Sequence, residues 1–170
     1  MSVLSWGECF ITHAVSVHGR PVLPWGGVDT PKENTTQLTT TAGTELNANK
    51  EGGLVVDSRF GRSNFQLEFD IFVQKGKAWP FSDDDGRIAG EHAFRIMPEG
   101  EGCEGIQIDR CMLRVEESFS TADGKMLHYV ARILRPAEGK SVKLFVESKS
   151  IRMYTATSIR LLSNLYMRLN

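Results

Sequence analysis

Apolar and polar residues alternate most clearly over residues 63–74, where every second position is apolar and most of the intervening positions are polar. The apolar positions are Phe65, Leu67, Phe69, Ile71 and Val73. Because a β-strand points successive side chains to opposite faces, this pattern predicts a strand with one buried face. Aromatic and β-branched side chains suit such a half-buried pleated surface. We therefore expect this segment to be the central strand of a β-rich core.

Weaker alternation predicts further strands on both sides of this segment. In residues 8–17, one face is predicted to carry Ile11, His13, Val15 and Val17. Residues 54–59 form a short strand that we expect to pair with residues 63–74 as an antiparallel hairpin, because only a tight connection separates them. Two more short strands are predicted at residues 92–97 and 142–146.

A long hairpin is predicted late in the chain. Its first strand, residues 106–117, changes the parity of its apolar positions midway, and a strand of period two can do so only by inserting a residue. We therefore predict a β-bulge near Asp109 and Arg110. The turn at residues 121–124 ends in a glycine that can adopt a positive φ, and residues 126–134 return as the antiparallel partner.

Residues 24–53 are expected to be irregular, because they are rich in glycine, threonine and asparagine. Within them, residues 37–41 are expected to form a strand only transiently, and an arm loop is assigned to about residues 26–53. Two interpretations stay open: a surface loop, or an arm that is mobile in an isolated subunit and orders against a neighbour. The candidates for contact with that neighbour are Thr35, Leu38, Thr40, Leu46 and Asn49.

The C-terminal extension, about residues 148–170, carries two patterns. Alternation from Ile151 to Leu161 is typical of a strand, whereas Ile159, Leu162, Tyr166 and Leu169 follow helical spacing. We expect a strand that changes into a short helix. The whole chain, residues 1–170, is predicted to be a single mostly-β domain: a β-sandwich or barrel of antiparallel strands with a long polar arm loop and at most a short helix.

Charge and cysteine content narrow the classes of partner. The net charge of −1 over 170 residues does not favour a general nucleic-acid or membrane-surface binder. Three cysteines without C-x-x-C spacing argue against a disulfide framework or a structural zinc site. No signal peptide or membrane-spanning run is visible. We expect synthesis in a reducing cytoplasm and no membrane partner.

No combination of residues predicts catalytic chemistry, a cofactor site or a metal site. The consecutive aspartates at 83–85 lack the alternate spacing of a calcium loop, so an acidic turn is expected. His13 is expected to be a core or interface histidine, and Cys111 a structural thiol. Glu116 and Glu117 are adjacent on a strand and should point to opposite faces, unlike a catalytic carboxylate pair. We expect the protein not to be an enzyme.

Residues 54–143 resemble the tube-forming proteins of phage tails and of type VI secretion (Hcp-like). The resemblance rests on an N-terminal strand, a long polar arm, the even strand over residues 65–73 and the late hairpin with its turn at residues 121–124. Family members usually carry a short helix after the central strand. The corresponding residues 79–91 are rich in aspartate and glycine and depart from that pattern.

The resemblance implies a β-sandwich or barrel that closes into a six-membered ring, with rings stacking into a hollow tube. DNA or effectors would pass non-specifically through a lumen of acidic or neutral character. The implied partners are other copies of the chain and other virion or tail proteins, and the implied location is the virion tail, assembled in the bacterial host cytoplasm. Two alternatives stay open: a capsid-associated or head–tail adaptor protein, and a small β-barrel enzyme or ligand-binding protein.

Overall fold

The computed structural model describes residues 8–99 and 103–146, and these residues form an all-β structure without a helix. The predicted mostly-β fold is therefore confirmed. The strands are β1 (Cys9–Val17), β2 (Arg20–Gly27), β3 (Gln37–Thr41), β4 (Glu45–Asn49), β5 (Val55–Phe60), β6 (Asn64–Phe72), β7 (Asp83–Asp84), β8 (Arg87–Ile88), β9 (Glu91–Pro98), β10 (Gly105–Ser120), β11 (Gly124–Ile133) and β12 (Lys143–Phe145).

Most of these strands belong to one curled antiparallel sheet that forms a half-barrel. Its main path runs β2-β1-β9-β10-β11-β6-β3, so β2 and β3 are the two edges. The short strands β8 and β12 pair with the late and early parts of β10. Strands β4 and β5 pair only with each other and form a separate two-stranded sheet, which we call the hairpin arm.

The strand predicted over residues 63–74 is observed as β6, and its apolar face is buried. Leu67, Phe69 and Ile71 are inaccessible or nearly so. However, β6 is not central, since it lies between β11 and the edge strand β3, and β10 occupies the middle of the sheet. Alternation reports that one face of a strand is buried, and it carries no information on the position of that strand in the sheet.

The core fills the concave side of the half-barrel and is rich in aromatic rings. The ring of Phe69 stacks on Tyr129 with centroids 5.3 Å apart and meets Phe94 edge-on at 5.8 Å. Phe81, from the loop before β7, packs edge-on against Tyr129 at 5.4 Å. Such offset and edge-to-face pairs are the preferred aromatic geometries.

The predicted β-bulge in the late hairpin is confirmed. Pairing between β9 and β10 shifts register between Ile108 and Cys111, and both of these residues are fully buried. The return strand β11 and its turn are also as predicted, with Gly124 at φ +76°. Asp85 and Gly86 both have positive φ between β7 and β8, which confirms the acidic turn.

The predicted pairing of residues 54–59 with residues 63–74 is wrong. Strand β5 pairs with β4, while β6 pairs with β11 and β3. Strands β3 and β11 place Leu38 and Tyr129 beside the buried face of β6, whereas every residue of β5 is exposed. The apolar face of β6 thus selects the neighbours that cover the core, which outweighs proximity along the chain.

The arm loop predicted over residues 26–53 is not one irregular segment. It contains the end of β2, a segment across the open side of the half-barrel, and the strands β3 and β4. Residues 37–41 are an established edge strand, because Leu38 contributes an apolar contact to the core. Two polar strands can form here because each has a partner for its backbone.

The strand predicted over residues 8–17 is observed as β1, but its burial does not follow a single face. Ile11 is buried, whereas Val15 and Val17 on the same predicted face are about half exposed, and Ala14 and Ser16 on the other face are buried. The pairing of β1 with β9 is continuous from Cys9 to Ser16, so the side chains of β1 alternate between its two faces without a break. The register shift in the pairing with β2 comes from two additional residues on β2, between Val22 and Gly26. The C-terminal extension, residues 148–170, with its predicted strand and short helix, lies outside the described residues.

Candidate assembly surface

The five candidate interface residues lie in three different environments. The first environment is the segment at residues 28–36, which contains Thr35. This segment runs from the edge strand β2 to the opposite edge strand β3 and is fastened to the same subunit. The Lys32 amide donates to the Asp70 carbonyl at 2.7 Å, and the Lys32 ammonium donates to Asp123 at 2.9 Å. The Thr35 hydroxyl donates to the Lys32 carbonyl and accepts from the Asp70 amide. The Thr35 hydroxyl therefore already has a donor and an acceptor partner within the subunit.

Strand β3 places the next two candidates at an open edge of the sheet. Leu38 is half-buried opposite Leu67, and Thr40 is exposed opposite Phe65. Only β6 pairs with β3 in the part of the chain that the structure describes. The strand Gln37–Thr41 contains no proline, no bulge and no charge, which are the features that usually protect an edge strand from further pairing. This edge can accept another strand.

The hairpin arm carries the last two candidates, Leu46 and Asn49, and both are exposed. Every residue of β4 and β5 is exposed, including several large apolar side chains. These are Leu46, Val55, Val56 and Phe60, the last at 79% exposure, together with Leu54 in the connecting loop. A two-stranded hairpin is marginally stable in water without a packing partner. The arm therefore presents apolar surface that the described chain does not cover.

A close backbone crossing joins the hairpin arm to the half-barrel. The Gly61 amide donates to the Thr44 carbonyl at 2.8 Å. A Cβ atom on Gly43 would lie 2.3 Å from the Gly61 carbonyl carbon, well inside van der Waals contact. Only glycine at position 43 permits this approach, and the crossing fixes where the arm leaves the body.

The opposite edge of the sheet carries a second exposed apolar surface, on β1 and β2. Val15 and Val22 are cross-strand partners, and each is about half exposed. Phe10, Val17 and Leu23 are further exposed apolar residues of these two strands. Strand β2 contains Pro21 and Pro24, which lack a backbone N–H. This edge is thus poorly suited to strand pairing and better suited to side-chain contact.

Sequence reasoning identified the general region of the arm but missed most of its apolar residues. Leu46 and Asn49 lie on the arm, whereas Thr35, Leu38 and Thr40 lie on the body, so the structure divides the candidates rather than uniting them. Their role in subunit contact stays a prediction. The missed residues Val55 and Val56 belong to the strand predicted to pair with residues 63–74, and Phe60 belongs to the tight connection predicted between the two strands. The charged and polar residues between them, Asp57 to Arg59, were the available signal that no core face exists there.

A pair of histidines joins β1 to β9 beside Phe81. His13 Nε2 lies 2.9 Å from His92 Nδ1, and His92 Nε2 lies 3.1 Å from the Ala89 carbonyl. Because a carbonyl can only accept, His92 carries its proton on Nε2, and its Nδ1 accepts from His13 Nε2–H. Sequence reasoning missed this pair, since the two residues are 79 positions apart.

Burial keeps both imidazoles neutral. Burial, and then the neighbouring His92, lowers the pKa of His13 from 6.5 to about 4. Burial also lowers the pKa of His92, although its bond to the Ala89 carbonyl acts in the opposite direction. Cys111 lies nearby and donates its thiol proton to the His92 carbonyl at 3.2 Å. Burial raises the pKa of this thiol to about 12, which agrees with a structural rather than a nucleophilic cysteine.

The remaining residues considered for catalysis or metal binding do not come together in one site. Glu116 and Glu117 form separate surface ion pairs with Arg114 and Lys125. Residues 8–99 and 103–146 contain no group of three or more metal-ligating side chains. The same residues include no helix with the length and apolar character needed to cross a membrane.

No protein family model matches the sequence, and no curated protein matches it.

Proposed function

We propose that the protein is a structural subunit that assembles with copies of itself through the hairpin arm. The observation that carries this proposal is the arm itself: two paired strands with all residues exposed, including Leu46 on β4 and Val55, Val56 and Phe60 on β5. Such a hairpin gains stability when its side chains pack against another surface. A neighbouring copy that carries an exposed apolar surface can provide it.

The position of the arm supports a head-to-tail contact. The arm follows the edge strand β3, whereas the exposed valines Val15 and Val22 lie at the other edge of the same sheet. A contact between these two surfaces joins different patches of identical subunits. Heterologous contacts of this kind generate rings when the rotation closes and filaments when it does not.

The assembly we favour is a stack of rings, six-membered in the tube-forming proteins that the sequence resembles, around a channel for DNA or effectors. In this proposal the protein is a tail-tube subunit of a virion, assembled in the bacterial host cytoplasm beside other tail proteins. The second candidate is a head–tail adaptor, for which the exposed edge strand β3 offers a pairing site for a different virion protein.

Electron microscopy of the purified full chain, together with sedimentation velocity, tests the proposal. We expect rings or stacked rings at high concentration. Single rings that do not stack would favour the adaptor, and a monomer at every concentration would overturn self-assembly.

A matched pair of variants tests the arm. Phe60→Asp places a charge on the most exposed large apolar residue of the arm, and Phe119→Asp places the same charge on a residue of similar exposure on β10, outside the arm. We expect Phe60→Asp to remain folded and fail to assemble, while Phe119→Asp assembles. Equal assembly of both variants would show that the arm is not the contact.

A further inference from the structure

A cavity of about 800 Å³ opens at one end of the half-barrel, separate from the hairpin arm. Its walls come from the start of β1, the end of β9, the start of β10, the edge strand β3 and the segment at residues 28–36. Cys9, Leu38, Ile96 and Ile106 line it and also pack against the core. Its volume falls within the range of sites that enclose a ligand or a peptide segment.

The rim of this cavity is acidic. Glu8, Glu33 and Glu104 line it and are exposed, and none of them belongs to an ion pair within residues 8–99 and 103–146. Lys32 is the one basic residue of the lining, and its ammonium is bound to Asp123. The cavity therefore favours an occupant with positive charge at its surface and apolar groups within.

The cavity wall also contains an unpartnered hydroxyl. Thr36 lines the cavity, and its buried Oγ1 has no hydrogen-bond partner among the described residues. A buried polar group without a partner costs free energy, so an occupant that supplies a donor or acceptor there would be favoured.

The chain itself leads toward this cavity. Strand β12 pairs with the start of β10, with Leu144 opposite Ile106 and Phe145 opposite Gly105. This register brings Val146 level with Glu104 on the rim. Leu144 and Val146 are both exposed and extend the apolar surface beyond the lining residue Ile106.

We propose that residues 147–170 of the same chain bind in this cavity. This segment has one acidic residue, Glu147, and four basic residues among many apolar ones: Lys149, Arg152, Arg160 and Arg168. Its basic side chains complement the three glutamates, and its apolar residues match the lining. Because Val146, the residue before this segment, lies level with Glu104 on the rim, the effective concentration of the segment is high and a weak intrinsic affinity suffices. Residues 1–7 precede the lining residue Glu8 in the sequence, but they contain no basic side chain.

Photo-crosslinking in the full chain tests this proposal in dilute, unassembled protein, so the outcome does not depend on self-assembly. Benzoylphenylalanine replaces Thr30, an exposed residue of the cavity lining, and in a control replaces Thr39, an exposed residue outside it. A mixture of isotopically heavy and light chains shows whether each crosslink forms within one copy. We expect position 30, and not position 39, to crosslink to residues 147–170 of the same copy.

Charge variants then test the acidic rim. We expect Glu33→Lys with Glu104→Lys to lower the crosslinking yield from position 30 about tenfold, since two attractions become repulsions. Glu51→Lys with Asp84→Lys makes the same charge change at exposed positions elsewhere and should leave the yield unchanged. Crosslinks to residues 1–7, crosslinks between heavy and light copies, no crosslink to the tail, or equal yields in both charge variants would each overturn the proposal.

Discussion

The strand pair β6–β11 and the hairpin arm β4–β5 are both antiparallel pairs of one chain, yet they bury opposite fractions of their side chains. Phe69 on β6 is 0% exposed, whereas Phe60 on β5 is 79% exposed. In β6 every second residue contacts the core, so its alternation describes a surface present in the same chain. In β5 the apolar residues have no such surface among the residues that the structure describes. The comparison teaches that clean alternation marks a strand whose covering surface lies in the same chain, and that a paired strand can form without such a surface.

The largest effect expected from this comparison is on stability. We expect Phe69→Ala to lower the free energy of unfolding by about 3–5 kcal/mol, because the truncation leaves a cavity beside Phe94 and Tyr129. Phe60→Ala removes the same atoms from an exposed site and should change it by less than about 0.5 kcal/mol. Denaturant unfolding of the unassembled subunit measures both. Similar losses in the two variants would contradict the difference in burial.

Local alternation was sufficient to predict the part of the fold that buries its own side chains. The strand β6, the bulge between Ile108 and Cys111 and the turn at Gly124 each leave a signal within a few residues. These features follow from the period of a strand and from the φ of a turn. These signals do not depend on which strand pairs with the segment that carries them.

The pairing of strands and the contacts between residues far apart in the sequence could not be predicted in the same way. The partner of β5 and the edge position of β6 depend on which apolar faces cover the core, and alternation does not specify a partner. His13 and His92 meet only because β1 lies beside β9. The cavity at the end of the half-barrel has lining residues from five separate segments, and no short stretch of sequence contains that arrangement.

The second prediction concerns the junction between the two regions. Gly43→Val should displace the hairpin arm, because its Cβ would meet the Gly61 backbone at 2.3 Å. Overpacking of this kind typically costs about 1–3 kcal/mol. We expect faster hydrogen exchange in β4 and β5 and little change in β6 and β11.

Gly27→Val is the matched control for this junction, because a Cβ on Gly27 meets nothing within 4 Å. It should leave exchange in the arm unchanged. An arm that exchanges normally in Gly43→Val would show that the crossing does not hold it in place.

The third prediction uses the pH dependence of stability to distinguish the core from the arm. The pKa of His13 is lowered to about 4 in the folded protein, from 6.5. Between these pH values the unfolded chain binds more protons at this histidine than the folded protein does. The free energy of unfolding is therefore highest above about pH 6.5 and falls as the pH is lowered toward 4. Because His13 keeps some contact with solvent, we expect a loss of about 1 kcal/mol.

Denaturant unfolding from pH 7 to pH 4 measures this loss, and His13→Phe should reduce the slope because it removes the proton site. Residues 45–60 contain no histidine, so exchange within the arm, corrected for the intrinsic effect of pH, should not follow the same curve. An unchanged slope in His13→Phe would contradict the assigned role of the histidine pair.

The last prediction involves no substitution and concerns only the protection of backbone amides from hydrogen exchange. In dilute subunits, the β3 amides that face β6 should exchange slowly, because they are bonded within the sheet and Leu38 contacts the core. The β4 amides should exchange faster, since neither face of the arm packs against the described part of the chain. On assembly we expect β4 and β5 to slow markedly, while the amides between β3 and β6 change little. Within residues 35–49, assembly would then slow the exchange of β4 and leave that of β3 nearly unchanged, in agreement with their different burial. Fast exchange in β4 that is equal in dilute and assembled protein would exclude the arm from the contact, even if particles form.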